Sequence, residues 1–151
     1  MDDICFVYRK MHDWDSQQFI RKFIKSDCYS PPLKLEAGHD NTFLENEFSI
    51  EPDGIHFWIK NVNARSANKI WRYQHINSYT PYAQKRSTLI STLKKVDALA
   101  SGYEVRYDTA MAKLTEFKMS GYTPAMLRYA CQRIGRESGH GIWFSIAKDF
   151  E

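Results

Sequence analysis

Residues 120 to 139 read SGYTPAMLRYACQRIGRESG, a helix written out with both of its ends. Thr123 is a good N-cap, and Pro124 suits the first helical position, where its missing N–H would have no intrahelical partner. Ser138-Gly139 supplies the other end, because glycine takes the left-handed conformation that commonly stops a helix. On a wheel, Met126, Leu127, Ala130, Cys131 and Ile134 share one side, while Arg128, Tyr129, Gln132, Arg133 and Arg136 occupy the rest. The pattern predicts a core-facing helix that carries a basic, hydrogen-bonding ridge.

The same Tyr-Thr-Pro device at 79 to 81 opens another helix, which runs to about Ala100 and stops at Ser101-Gly102. Between these two, Asp108 to Ser120 reads as a third helix ending at Gly121. The Ser-Gly-Tyr triplets at 101 to 103 and 120 to 122 are therefore repeated stop signals. In the 81 to 100 helix the apolar Tyr82, Leu89, Ile90, Leu93 and Val96 share a face. Its Lys85, Arg86, Lys94 and Lys95 scatter around the wheel, which suits solubility more than binding.

Upstream, β-favouring runs dominate. Ile4 to Tyr8 predicts a strand, and Asp15-Ser16 then leads a helix with Phe19, Ile20, Phe23 and Ile24 on one face, ended by Ser30-Pro31-Pro32. Phe48 to Glu51 alternates, Pro52-Asp53-Gly54 is turn chemistry, and Ile55 to Val62 completes a hairpin. Ile70 to Ile76 predicts one more strand after a polar loop, with a helix over 67 to 77 as the competing reading. Ile142 to Ile146 predicts a last strand returning to the sheet. The expected fold is a single α+β domain over 1–151: an antiparallel sheet of four to five strands with an N-terminal helix and three C-terminal helices.

The bulk numbers agree with a folded chain of this size. At 151 residues, 43% hydrophobic and 15% aromatic, one core is expected and disorder is not. Cys5, Cys28 and Cys131 form neither a disulfide framework nor a zinc-ligand spacing. The N-terminus has acidic residues where a secretory signal needs basic ones, and no run approaches the length of a membrane span. A cytoplasmic protein without membrane association is expected, and no cofactor or metal site is signalled.

Charge is segregated along the chain. Residues 60–136 hold fourteen Lys or Arg against four Asp or Glu, a net of +10, whereas residues 1–59 come to −5 and the last fifteen to −2. A basic half interleaved with aromatics suits a polyanion, nucleic acid above all. Two constellations carry that reading. The first is the ridge of Arg128, Gln132, Arg133 and Arg136, since Arg forms bidentate contacts with phosphate or guanine and Gln pairs with adenine. The second is a hairpin face. Pairing 55–62 with 69–76 symmetrically about the polar loop sets Trp58 opposite Tyr73, Lys60 opposite Trp71 and His56 opposite His75, with Arg72 adjacent. Bases stack on such rings and phosphates meet the cations.

Other motifs are weaker. Thr109 to Ile134 has helix-turn-helix spacing, but Phe117 is bulky where the helices would cross, and 142–146 would serve as the wing. Asp53 and Lys60 resemble a metal-dependent nuclease pattern only loosely, for Trp58 stands where a second carboxylate is needed. No nucleotide-binding or hydrolase signature is present. The sequence thus predicts a small non-enzymatic nucleic-acid-binding or regulatory protein, whose partner is DNA or RNA. The alternative is a protein-binding adaptor or inhibitor directed at an acidic surface, such as that of a nucleic-acid enzyme complex. A third class is a metal-independent phosphodiesterase or nuclease with His56 and His75 as acid and base.

Overall fold

The computed structural model describes residues 13–25, 41–44, 46–60 and 72–150. The chain divides into two compact units, Met1–Leu44 and Glu45–Glu151, so the single domain expected across 1–151 is not confirmed. The predicted strand at 4–8 lies outside the described residues, as do Lys69, Ile70 and Trp71 of the strand expected at 70–76.

In the first unit, helix α1 (Asp13–Ile24) forms where the i, i+4 spacing of apolar residues predicts it, and Phe19 and Phe23 stack with ring centroids 6.4 Å apart. Strand β1 (Thr42–Phe43) closes this unit.

The second unit holds β2 (Asn46–Glu51), β3 (Gly54–Ile59), α2 (Tyr82–Leu99), α3 (Tyr103–Met119), α4 (Pro124–Ser138) and α5 (Ile142–Lys148). The architecture is α+β, with a three-stranded antiparallel sheet in the order β1-β2-β3. The predicted hairpin forms about Pro52-Asp53-Gly54, with Phe48 opposite Phe57 and Ile50 opposite Ile55. β3 packs on α2 and α3, and Ile59 enters the core. The outer side of β3 meets the α2–α3 junction: Ser101 donates its N–H to the Phe57 carbonyl at 2.9 Å, and its Oγ accepts the Phe57 N–H at 2.7 Å.

The core lies among the four C-terminal helices, centred on Trp143, Phe117, Leu89, Leu93, Leu114, Leu127, Ile134 and Ile146, all essentially without solvent exposure. α4 is built as its ends predict. Thr123 Oγ1 accepts the Met126 N–H, Pro124 takes the first helical position, and Gly139 is left-handed at φ 76°. The parallel expectation for Thr80-Pro81 is only half met: the helix begins at Tyr82, and no side chain caps it. Instead the Pro81 carbonyl receives the Gln84 and Lys85 N–H groups. α3 starts at Tyr103, ahead of the predicted Asp108, because Gly102 at φ 80° reverses the chain immediately after α2.

Two predicted strands are overturned. Residues 142–146 are helical: Ile142, Trp143, Ile146 and Ala147 are the buried positions of α5, which is helical spacing, and burial of that stripe outweighs the β-preference of Ile-Trp-Phe. A glycine makes the close packing possible. A Cβ at Gly135 would stand 3.0 Å from the Phe144 ring and 3.2 Å from the Trp143 Cβ. Residues 72–76 form no strand. Their backbone is held by the helices, with the Ile76 N–H on the Ser120 carbonyl and Lys85 Nζ donating to the Ile76 and Ser78 carbonyls at 2.6 Å. Gly121 seats this segment, for its φ of 85° disfavours any other residue and a Cβ there would meet His75 and Ile76 at 2.9 Å. Among the described residues the sheet therefore has three strands, not four to five.

Asp97 links the helices. Its Oδ1 accepts from Trp143 Nε1 and pairs with His140 Nδ1, each at 2.7 Å, and Arg106 Nε lies 3.4 Å away. One carboxylate on α2 thereby holds α3, the α4–α5 turn and α5.

Candidate nucleic-acid interface

The outward side of α4 follows from its inward side. Leu127, Ala130, Cys131, Ile134 and Gly135 are buried against α5 and α2, which turns Arg128, Tyr129, Gln132, Arg133 and Arg136 toward solvent. Arg128, Gln132 and Arg136 follow one another at i, i+4 and i+8, a line roughly 12 Å long at 1.5 Å per residue. Neither arginine has an ion-pair partner among the described residues. Arg133 differs. Its Nε donates to Glu137 Oε1 at 2.7 Å, and Lys94 of α2 reaches Glu137 Oε2 at 2.6 Å. The two cations hold the Glu137 carboxyl below the usual carboxylate range, Lys94 most strongly. Arg133 and Lys94 thus spend their charge on a clamp between α4 and α2.

Among the described residues the second predicted constellation does not assemble. Trp58 lies on β3 and Lys60 directly follows that strand, but the neighbour of β3 is β2, which places Glu47 opposite Trp58. The Trp58 indole donates to Glu47 Oε2 at 2.9 Å, so a carboxylate stands where the reading needs a phosphate. Tyr73 stacks on the buried Phe117 with centroids 3.8 Å apart and packs against the core. Arg72 is exposed, and Trp71 lies outside the described residues. His56 faces Ser49 and pairs with Asp53 at 3.1 Å, drawing the Asp53 carboxyl below its ordinary value through that hydrogen bond. His75 accepts the Asn77 N–H on its Nδ1 and packs at Gly121. The cross-strand histidine pair required for acid–base chemistry is not formed. The wing expected at 142–146 is the helix α5, and the bulky Phe117 in the last turn of α3 is core.

A feature that charge scatter concealed lies between α2 and α4. A cleft of about 390 Å³ is lined by Tyr82, Arg86, Leu89, Thr123, Met126 and Tyr129, with Ala125 and Ala130 filling out its α4 side. The Arg86 guanidinium stands 4.6 Å from the Tyr129 ring centre and donates to the Tyr129 hydroxyl at 2.5 Å. Tyr82 and Arg86 sit at i, i+4 on α2, a spacing that does reveal the pair once positions are compared across helices. Lys85, expected to serve solubility, is buried and structural.

Among the described residues no group of three or more His, Cys, Asp or Glu is gathered as metal ligands would be, and no helix is long and apolar enough to cross a membrane. Comparison with known protein families, curated proteins and solved structures finds no match to this chain.

Proposed function

We propose that this is a non-enzymatic nucleic-acid-binding protein, cytoplasmic in setting, whose contacts centre on the outward face of α4. The observation that carries the reading is the line of Arg128, Gln132 and Arg136, exposed or half-exposed and without carboxylate partners among the described residues. Arginines spaced by a helical turn match successive phosphates, and the amide between them can read a base edge. Arg72 and Lys60 are the secondary cations of the reading, while Trp58, Tyr73 and Arg133 are engaged within the protein. Fluorescence anisotropy with labelled DNA and RNA across a salt series tests it. Affinity should fall steeply with salt, and Arg128→Ala with Arg136→Ala should lessen the logarithmic slope by about 1.4 to 1.8, the equivalent of two phosphate contacts. Salt-independent or absent association, or an unchanged slope in the double variant, would refute the proposal.

The hairpin favours a second reading, that of an adaptor or inhibitor bound to an acidic protein surface. Ile50 is 74% exposed, its cross-strand partner Ile55 51% and Phe57 40%, an apolar tip of the sort that protein interfaces use. A pull-down with and without nuclease separates the two, for a partner that survives nuclease supports the adaptor.

A further inference from the structure

The α2–α4 cleft has a composition that restricts what can fill it. Its floor is apolar, with Leu89 and Ala130 almost fully buried, and its volume of about 390 Å³ lies in the range of small-ligand pockets. Its rim carries two large rings left open to solvent, Tyr82 at 58% and Tyr129 at 43% exposure. Among the described residues Arg86 is the one cation in the lining, and no carboxylate lines it. The guanidinium is fixed in place by Tyr129, yet that contact uses few of its five N–H donors. A flat aromatic group with a negative charge at its edge satisfies rings, floor and cation together.

Tyr129 also belongs to the outward face of α4, beside Gln132 and Arg136. A strand whose phosphates follow Arg128 and Arg136 would therefore pass the mouth of the cleft. We propose that the cleft receives one unpaired base of a single-stranded nucleic acid, stacked against Tyr82 and Tyr129, with an adjacent phosphate on Arg86. The inference rests on the nucleic-acid reading of α4 and adds a preference to it. In a duplex the bases are stacked and paired within the helix and cannot enter the cleft, whereas in a single strand they can turn outward.

The test compares one labelled oligonucleotide, single-stranded and annealed to its complement, at a fixed salt concentration. The wild type should bind the single strand more tightly. Tyr82→Ala should weaken single-strand binding by roughly 5- to 140-fold, the worth of one base stack, and leave duplex binding unchanged. Tyr82→Phe, which keeps the ring, should restore it. Tyr82 is exposed, so these changes spare the core, and the unchanged duplex affinity confirms a folded protein. Equal binding of both forms, or a Tyr82→Ala protein that keeps the single-strand preference, overturns the cleft while leaving the α4 reading intact. Binding of neither form overturns both. Displacement of the single strand by an acidic tyrosine-containing peptide but not by a nucleoside monophosphate also overturns the cleft as a base site.

Discussion

Cys131 shows how far burial alone changes a side chain's chemistry. With no solvent exposure and apolar neighbours on α4, α5 and α2, its thiol is pushed up to about 12 by desolvation. The unfolded thiol ionises at an ordinary value near 9, the native one does not, and the sign follows. Stability linked to this group is complete below about pH 9 and is lost as pH rises toward 12. Urea midpoints taken at about pH 8 and about pH 10.5 should therefore fall further in the wild type than in Cys131→Ala, whose tyrosines titrate in common with it. An equal fall in both proteins would contradict the assignment. The same burial makes the thiolate inaccessible, so Cys131 is packing and not a reactive site. Tyr122, also pushed upward by burial, belongs to the same core.

Helix α4 was legible at both ends, and α2 and the body of α3 were legible though the start of α3 was not, because the signals are local: a proline at the start, a terminal glycine and an apolar stripe of period 3.6, with a Thr cap that forms on α4. The hairpin was legible for the same reason. What escaped depends on partners distant in sequence. The run at 142–146 is β-favouring alone, but Gly135 opens a seat for Trp143 and Phe144, and the helix that uses it wins. Residues 72–76 have strand composition, yet the buried Lys85 amine binds two of the carbonyls between 76 and 78, and the segment follows α2 and α3 instead of β3. The α4 ridge could be read from a wheel; the capture of Arg133 by Glu137 and Lys94 could not, since Lys94 is on another helix. Asp97 is the strongest of these distant links. Asp97→Asn should cost about 2 to 4 kcal/mol, because the buried indole of Trp143 and the partly buried Arg106 lose a charged acceptor that nothing replaces. Denaturant unfolding measures it, and a loss below about 0.5 kcal/mol, the range of an ordinary surface change, would show that the carboxylate is dispensable.

Every described residue of the principal core, from Ile59 to Phe150, belongs to the unit Glu45–Glu151. That unit should therefore fold without residues 1–44, giving a helical circular-dichroism spectrum and a cooperative thermal transition; a broad, non-cooperative melt would show that the first unit is required. The charge asymmetry also becomes smaller in effect than in the count. Lys85, Lys94, Lys113 and Arg133 are committed to internal contacts, which leaves the α4 line and a few exposed cations to face a polyanion. The contact between Ser101 and Phe57 has a consequence for the behaviour of many copies together. An outer strand presents unmatched N–H and C=O groups on which a neighbouring chain can build, and short apolar strands such as Gly54–Ile59 invite that growth. Ser101 occupies both groups of Phe57, so among the described residues the guard on this edge is the α2–α3 junction. Local fraying of that junction would free both Phe57 groups to pair with a strand of another copy.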